Sequence, residues 1–227
     1  MSRYVLSDPH GEYGLFCKLL EKIKFSDRDE MIVCGDILDK GSEPVRLAKF
    51  VFSMPNIRCI MGNHEYQFLK FYWSLMQDSP EDFDEVLAKL QAYHQRDGHL
   101  LDWETVDKLE SLPPYLEERE FICVHAGIPL TAQRRFPPLS EVSVEQLIYD
   151  RNFKEPSVLP QGEPCVFFGH TPTNYVGNRS DIITYPKVDA PKKVSDYCKI
   201  HLDTGACMTG IMGCFCMDTL QSVYVGK

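Results

Sequence analysis

The sequence predicts a mixed α/β fold with its reactive groups on loops along one sheet edge, and two observations carry that prediction. Five times, a short apolar run stops at a glycine beside Asp, Asn or His. Tyr4-Val5-Leu6 leads to Asp8, Pro9, His10 and Gly11, and Met31-Ile32-Val33-Cys34 leads to Gly35-Asp36. Ile57-Arg58-Cys59-Ile60-Met61 leads to Gly62-Asn63-His64, Phe121-Ile122-Cys123-Val124 to His125-Ala126-Gly127, and Cys165-Val166-Phe167-Phe168 to Gly169-His170. Continuous apolar runs of this length suit strands buried on both faces. Polar residues just past strand ends suit the place where α/β proteins keep their sites. Helix-period stretches between the early runs are the second observation: the opening reads β-α-β-α-β, which needs crossover helices on a sheet.

The helices follow from spacing. Leu15, Phe16, Leu19, Leu20 and Ile23 form one apolar stripe; Val45, Leu47, Ala48, Val51 and Phe52 form the next, with Pro44 in its first turn. Residues 65–111 read as a helical insertion that caps the site. Its stripes are Phe68, Phe71, Tyr72 and Leu75, then Phe83, Val86, Leu87, Leu90 and Tyr93, with Ser79-Pro80-Glu81 as a helix start between them. Pro113-Pro114 closes that section. Residues 131–164 are punctuated by proline around a short amphipathic piece at 144–149. Residues 174–195 read as a polar loop with weak strands, and 199–206, 211–217 and 222–225 as antiparallel strands. No repeat or domain boundary appears, so residues 1–227 read as one domain.

Composition narrows the class. The 227 residues carry 24 Lys plus Arg against 33 Asp plus Glu, a net charge of −9, with 44% apolar and 25% charged residues, as in an ordinary globule. No apolar run approaches the roughly 18 residues of a membrane span, and the N-terminus turns polar too early for a signal peptide. Nine cysteines, an odd number, therefore read as small buried hydrophobes in a reducing, cytoplasmic compartment. The acidic balance argues against anionic membranes and long nucleic acids as partners. Cys-x5-Arg, Gly-x-Gly-x-x-Gly, Walker, Gly-x-Ser-x-Gly and His-Glu-x-x-His patterns are absent from the sequence.

The residues after the strand runs are metal donors. Asp8 and His10 stand two apart at a strand end, so an extended backbone points both one way. With Asp36, Asn63, His125 and His170 they make six oxygen and nitrogen donors. Carboxylate and amide oxygen mixed with imidazole suits Mn, Fe or Zn better than Ca, without the thiolates of a structural zinc site. Six donors exceed what one catalytic metal with open positions uses. They suffice for two metals about 3.5–4 Å apart if one carboxylate is shared.

Ser7-Asp8-Pro9-His10-Gly11, Gly35-Asp36-Ile37-Leu38-Asp39-Lys40-Gly41, Gly62-Asn63-His64-Glu65, Val124-His125-Ala126-Gly127 and Gly169-His170-Thr171-Pro172 come in the order and spacing of a known family. With Asp203-Thr204-Gly205-Ala206, they resemble the phosphoprotein phosphatases among the calcineurin-like metallophosphoesterases. The nearest likeness is to bacterial and phage serine/threonine protein phosphatases, with bacterial diadenosine tetraphosphatases close by. The resemblance implies a four-layer α/β/β/α sandwich with two divalent transition metals, manganese first and Fe or Zn as alternatives. It also implies Asp8 and His10 on the first metal, Asp36 bridging, and Asn63, His125 and His170 on the second. His64 would protonate the leaving oxygen, held by Asp39, after attack by a metal-bridging hydroxide.

Two departures concern substrate. Lys40 stands where the family usually has Arg, and Met61 where protein phosphatases carry Arg. Lys offers a point charge and Arg a planar fork. Arg151, in Tyr149-Asp150-Arg151-Asn152, resembles the phage enzymes' downstream Trp-x-Arg contact, so Lys40 and Arg151 make the expected phosphate clamp. Phosphomonoester hydrolysis on phosphoserine or phosphothreonine, in a protein or a small phosphorylated substrate, ranks first. A diadenosine tetraphosphatase-like nucleotide hydrolase ranks second, and a phosphate-binding pseudoenzyme third. Nucleic-acid end processing wants a basic groove that the sequence lacks.

Overall fold

The computed structural model describes residues 1–76, 87–88, 91–92, 98–99, 101–160, 162 and 164–226. The early apolar runs become β1 (Arg3–Leu6), β2 (Glu30–Val33) and β3 (Ile57–Cys59), parallel to one another. Two strands from the far end of the chain extend this sheet: β9 (Met212–Cys216) runs antiparallel to β1, and β10 (Gln221–Val225) antiparallel to β9. The order is β10-β9-β1-β2-β3. The second sheet is β4-β5-β6-β8-β7, built from Tyr115–Glu117, Phe121–Val124, Cys165–Phe168, Tyr197–His201 and Ile183–Pro186 respectively.

Strand alternation explains why the runs are apolar throughout. In β1, Tyr4 and Leu6 join a core under α1 (Tyr13–Lys22) and α2 (Pro44–Ser53), while Val5 faces the second sheet. Val5, Ile32 and Phe215 meet Phe121, Cys123, Cys165 and Phe167 between the sheets. On the outer side of the second sheet, Ile122, Val124, Val166 and Phe168 pack with Leu147, Ile148 and Phe153. The layers are therefore helices, sheet, sheet, and a cover that includes α5 (Val144–Tyr149), with the central strands β1, β2, β5, β6 and β8 buried on two faces and the edge strands β4, β7 and β10 partly exposed. The sandwich implied by the family resemblance is the observed one. Seven of the nine free cysteines are buried.

Of the insertion, α3 (Asn63–Met76) and α4 (Trp103–Glu110) are described, and Phe68 and Leu69 sit in the first core. Asp102 caps α4, its side chain accepting from Thr105 N. Ser79, Pro80, Glu81, Phe83, Val86, Leu90 and Tyr93 lie outside the described residues. Leu87, expected in an apolar stripe, is exposed.

Three details depart from the sequence reading. β8 pairs parallel with β6, and antiparallel only with β7. Residues 174–195 hold α6 (Asn174–Gly177) besides β7, and α7 (Ala206–Thr209) separates β8 from β9. β4, flanked by Pro113-Pro114 and with no fully buried residue, has no apolar run to reveal it. Lys199 and His201 interrupt the hydrophobic pattern of β8 yet are wholly buried. No described helix is long and apolar enough to cross a membrane.

Candidate active site

The loops after β1, β2, β3, β5 and β6 meet at one edge of the sandwich, and hydrogen bonds between them fix the meeting. Asp8 N, His10 N and Gly11 N donate to the carbonyls of Gly35, Asp36 and Ile37 at 3.3, 2.9 and 3.0 Å. Gly169 N, after β6, donates to His125 O at 2.7 Å, and His170 N reaches Asp8 Oδ2 at 3.0 Å. Two glycines permit this closeness. A Cβ on Gly62 would stand 2.3 Å from both Asp36 N and Asp36 Oδ1, and one on Gly169 would stand 2.0 Å from Ser7 Oγ. Asp8, His10, Asp36, Asp39, Lys40 and His170 all have positive φ, between 40° and 69°. Such strain persists where the surroundings over-determine the backbone, and it clusters at functional sites.

All six expected metal donors come together, in two groups that share Asp36. In one, His10 Nε2 lies 3.3 Å from Asp36 Oδ2 and 3.9 Å from Asp8 Oδ1. In the other, His125 Nε2 lies 2.9 Å from Asn63 Oδ1, 3.2 Å from His170 Nδ1 and 3.5 Å from Asp36 Oδ1. His10 Nδ1 is 2.9 Å from Leu38 O, and His125 Nδ1 is 2.8 Å from Cys34 O. A carbonyl only accepts, so each Nδ1 carries the hydrogen and each ring turns Nε2 inward, where its neutral form offers a lone pair.

These lone pairs converge on carboxylate and amide oxygens, an arrangement that a cation satisfies. Asp8 Oδ1 and His170 Nε2 are buried without a hydrogen-bond partner among the described residues. Burial and the charge of Asp36 push the Asp8 carboxyl up. Burial alone would lower His125, but Asp36 and Asp8 outweigh it and raise its pKa, so the pocket favours positive charge at that spot. His10, Asp36 and His64 are within reach of one cation, and Asp36, His125 and His170 of another. The donor set fits two divalent transition metals.

His64 sits beside the first group. Its Nδ1 is 2.7 Å from Asp39 Oδ2, its ring centroid 4.8 Å from that of His10, and its N–H donates to Asp36 Oδ1 at 3.0 Å. Burial lowers the His64 pKa, but the Asp39 hydrogen bond and the charge of Asp36 prevail and raise it. A ring so held keeps its proton nearer neutral pH, as a general acid needs.

The expected phosphate clamp is less compact. Lys40 Nζ stands 2.7 Å from His10 Nε2, against the donor atom itself. Arg151 is exposed in the loop after α5 and makes no contact with the donor groups, although its charge acts on His170. Tyr149 stands nearer, its ring centroid 6.4 Å from that of His170.

Glu65 received no role from the sequence, although it ends the Gly62-Asn63-His64-Glu65 motif. Wholly buried, it accepts from Asp36 N at 2.8 Å and Gly62 N at 3.0 Å through Oε2, and from Leu38 N at 2.9 Å through Oε1. It ties the loop after β2 to the one after β3. Burial and Asp36 raise its pKa to about 7. Asp203, also buried, accepts from Gly205 N at 2.8 Å and receives Thr173 N on its carbonyl, which joins the loop after β8 to the one after β6. An acid in the first turn of a helix is the one signal that marks Glu65; only the structure shows that it faces inward.

A family model for calcineurin-like phosphoesterases matches residues 1–199. A symmetrical bis(5'-nucleosyl)-tetraphosphatase of Buchnera aphidicola from Acyrthosiphon pisum is 26% identical over 156 residues, covering 67% of this chain and 54% of the relative. The chain thus spans about half the length of the curated relatives it matches. Among solved structures, one provisionally assigned as a diadenosine tetraphosphatase superposes with a TM-score of 0.68 at 17% identity, covering 99% of this chain and 93% of the other. A serine/threonine phosphatase from Saccharomyces cerevisiae gives 0.57 at 14% identity, over 100% and 80% of the two chains. At these identities the structural likeness shows the fold. The sequence match extends over most of the chain and includes the five donor-bearing loops, and the protein belongs to the calcineurin-like phosphoesterase family.

Proposed function

We propose that the protein is a two-cation phosphohydrolase acting on a dinucleoside polyphosphate. The observation that carries the chemistry is the sharing of Asp36 by two donor groups. The substrate preference comes from the tetraphosphatase relatives. It reverses the order drawn from the sequence, where phosphoserine and phosphothreonine came first. Asp8 and His10 would hold one cation, Asn63, His125 and His170 the other, with Asp36 between them. Manganese, iron or zinc there would supply Lewis-acid activation of water and offset the phosphate charge.

The chain's own groups do the rest. Asp39 accepts from His64 Nδ1 and keeps Nε2–H available for the leaving oxygen. Arg151 reaches a phosphate from the rim, and Lys40 can do so by turning from His10. A phosphomonoester in a small molecule or protein is the second reading, favoured by the His64–Asp39 pair. An alkoxide leaving group needs a proton, whereas a nucleoside diphosphate leaves readily without one. The completeness of the donor set and of that pair argues against the pseudoenzyme reading. Buried free cysteines suit a reducing, cytoplasmic setting.

The test is turnover by the manganese-supplemented protein of diadenosine tetraphosphate against phosphoserine and phosphothreonine peptides. Faster cleavage of the dinucleotide is expected. Peptide dephosphorylation with the dinucleotide untouched would establish the second reading instead.

A further inference from the structure

An open depression of about 360 Å³ lies beside the donor cluster, where the end of α5 runs into residues 150–152. That volume is at the lower end of small-molecule sites, roughly 300–1,000 Å³. One wall is Tyr149, which is 42% exposed and meets the ring of His170 edge-on at 85°. Exposed tyrosine beside a phosphate-handling centre needs a reason, and the backbone supplies none of the usual ones. Instead, the chain holds Tyr149 outward. Asp150 Oδ1 accepts from Asn152 N at 2.6 Å and Phe153 N at 2.9 Å, turning the chain directly after Tyr149. Buried Lys199 donates to the carbonyls of Phe153 at 2.5 Å and Glu155 at 2.7 Å, which fixes the far side of the turn. Leu147 O accepts from Ala126 N at 2.9 Å, so the wall is tied to the residue after His125.

The other groups around the depression are polar and of mixed sign. Glu145 receives the Tyr66 hydroxyl on Oε1 at 2.5 Å, which pulls its pKa down and keeps it ionised. Asp150 and Gln146 line the space as well, and the Arg151 guanidinium has no hydrogen-bond or ion-pair partner among the described residues. Two carboxylates disfavour a second phosphate or an acidic peptide there. They do accept from neutral hydroxyl donors. An aromatic face, hydroxyl acceptors and one free guanidinium around one depression beside the donor cluster match base, ribose and phosphate.

We infer that this depression is a nucleoside subsite: the base lies on the Tyr149 ring, ribose hydroxyls donate to Glu145 and Asp150, and Arg151 meets the phosphate next to the nucleoside. The inference rests on the phosphohydrolase reading and names the part of the substrate that this chain selects.

Two measurements on the full chain test it. The first is kcat/KM for diadenosine tetraphosphate divided by that for inorganic tripolyphosphate, with manganese present. The second is fluorescence-detected binding of ethenoadenosine monophosphate, with unlabelled ribose 5-phosphate as competitor. Tyr149→Ala should lower the ratio and weaken nucleotide binding by roughly ten-fold or more, while Tyr149→Phe and Tyr149→Trp restore both. Ribose 5-phosphate should compete poorly, because it has no base to stack. A ratio and affinity unchanged in Tyr149→Ala would overturn the subsite and leave the phosphohydrolase reading standing. If the native protein hydrolyses none of these phosphates, that reading falls, and the binding measurement still decides the subsite. Selective loss of phosphopeptide turnover in Tyr149→Ala would make the occupant a peptide and overturn the nucleoside assignment.

Discussion

The floor of the site and its rim are built on different principles. On the floor, Asp8, His10, Asp36 and His125 are buried, and backbone groups of other loops grip them at positive φ or through a ring nitrogen. On the rim, Tyr149 and Arg151 stand exposed, and Lys40 leans on His10 through one contact. The floor has no freedom to drift without unpairing buried polar groups, each costing about 1–3 kcal/mol. The rim can change residue by residue at little cost in stability. A single floor can therefore serve many substrates, and the proposed substrate contacts stand on the rim, where a side chain can be exchanged without unpairing a buried group.

The strongest way to break the contrast is to remove the shared carboxylate. Asp36→Asn should lose at least one bound cation per chain, and hydrolysis should fall below detection. Metal content by mass spectrometry, with circular dichroism confirming the fold, checks it. Two retained cations with native turnover would show that the two groups do not depend on Asp36.

His64 comes next. His64→Asn should cost roughly 10²- to 10⁴-fold with an alkyl phosphate. The loss should be smaller with a dinucleotide, whose leaving group is already a weak base. The pH profile carries a sign. The acid acts while protonated, and Asp39 raises the His64 pKa, so activity is retained below that raised value and lost as pH climbs through it. Asp39→Asn removes the raising hydrogen bond, and the alkaline limb of the profile should move to lower pH. A limb that stays in place would detach Asp39 from the proton step.

Glu65 tests whether the floor is held as tightly as its hydrogen bonds imply. Glu65→Gln sets an amide NH₂ against a backbone N–H and should destabilise by about 2–4 kcal/mol, read by denaturant unfolding. Cation affinity should fall roughly 10- to 100-fold, because the loops that carry Asp36 and Asn63 lose their tie. Rim substitutions should do neither.

The floor was legible in the sequence because a buried parallel strand writes itself as an apolar run, and its loop follows at a fixed offset. All six donors came from five such junctions, and the His64–Asp39 pair from the family resemblance that they carry. Glu65 was hidden because one acid in a helical first turn looks like any other. β4 and the parallel pairing of β8 were hidden for a related reason. Neither element has a clean apolar period, and Lys199 in β8 is buried only because Phe153 and Glu155 offer their carbonyls. The rim was least legible. Arg151 came forward through a family likeness, but the outward pose of Tyr149 depends on a turn set by Asp150, which no spacing rule reveals.

The smallest effect is the one that best separates contact from positioning on the rim. Arg151→Ala deletes an exposed side chain, so Tm should not move, and KM for the phosphate substrate should rise several-fold with kcat nearly kept, as when ground-state and transition-state binding are lost together. Arg151→Lys should recover part of the KM, since a point charge replaces the fork. Lys199→Met, beneath the same loop, should raise KM as well, but by releasing the carbonyls of Phe153 and Glu155, and so should lower Tm too. Burial lowers the Lys199 pKa to about 8. Between there and its ordinary value the unfolded chain binds the extra proton, so the native protein's stability relative to Lys199→Met should rise with pH. If Arg151→Ala lowered kcat as strongly as kcat/KM, Arg151 would act in the transition state, and the rim would belong with the floor.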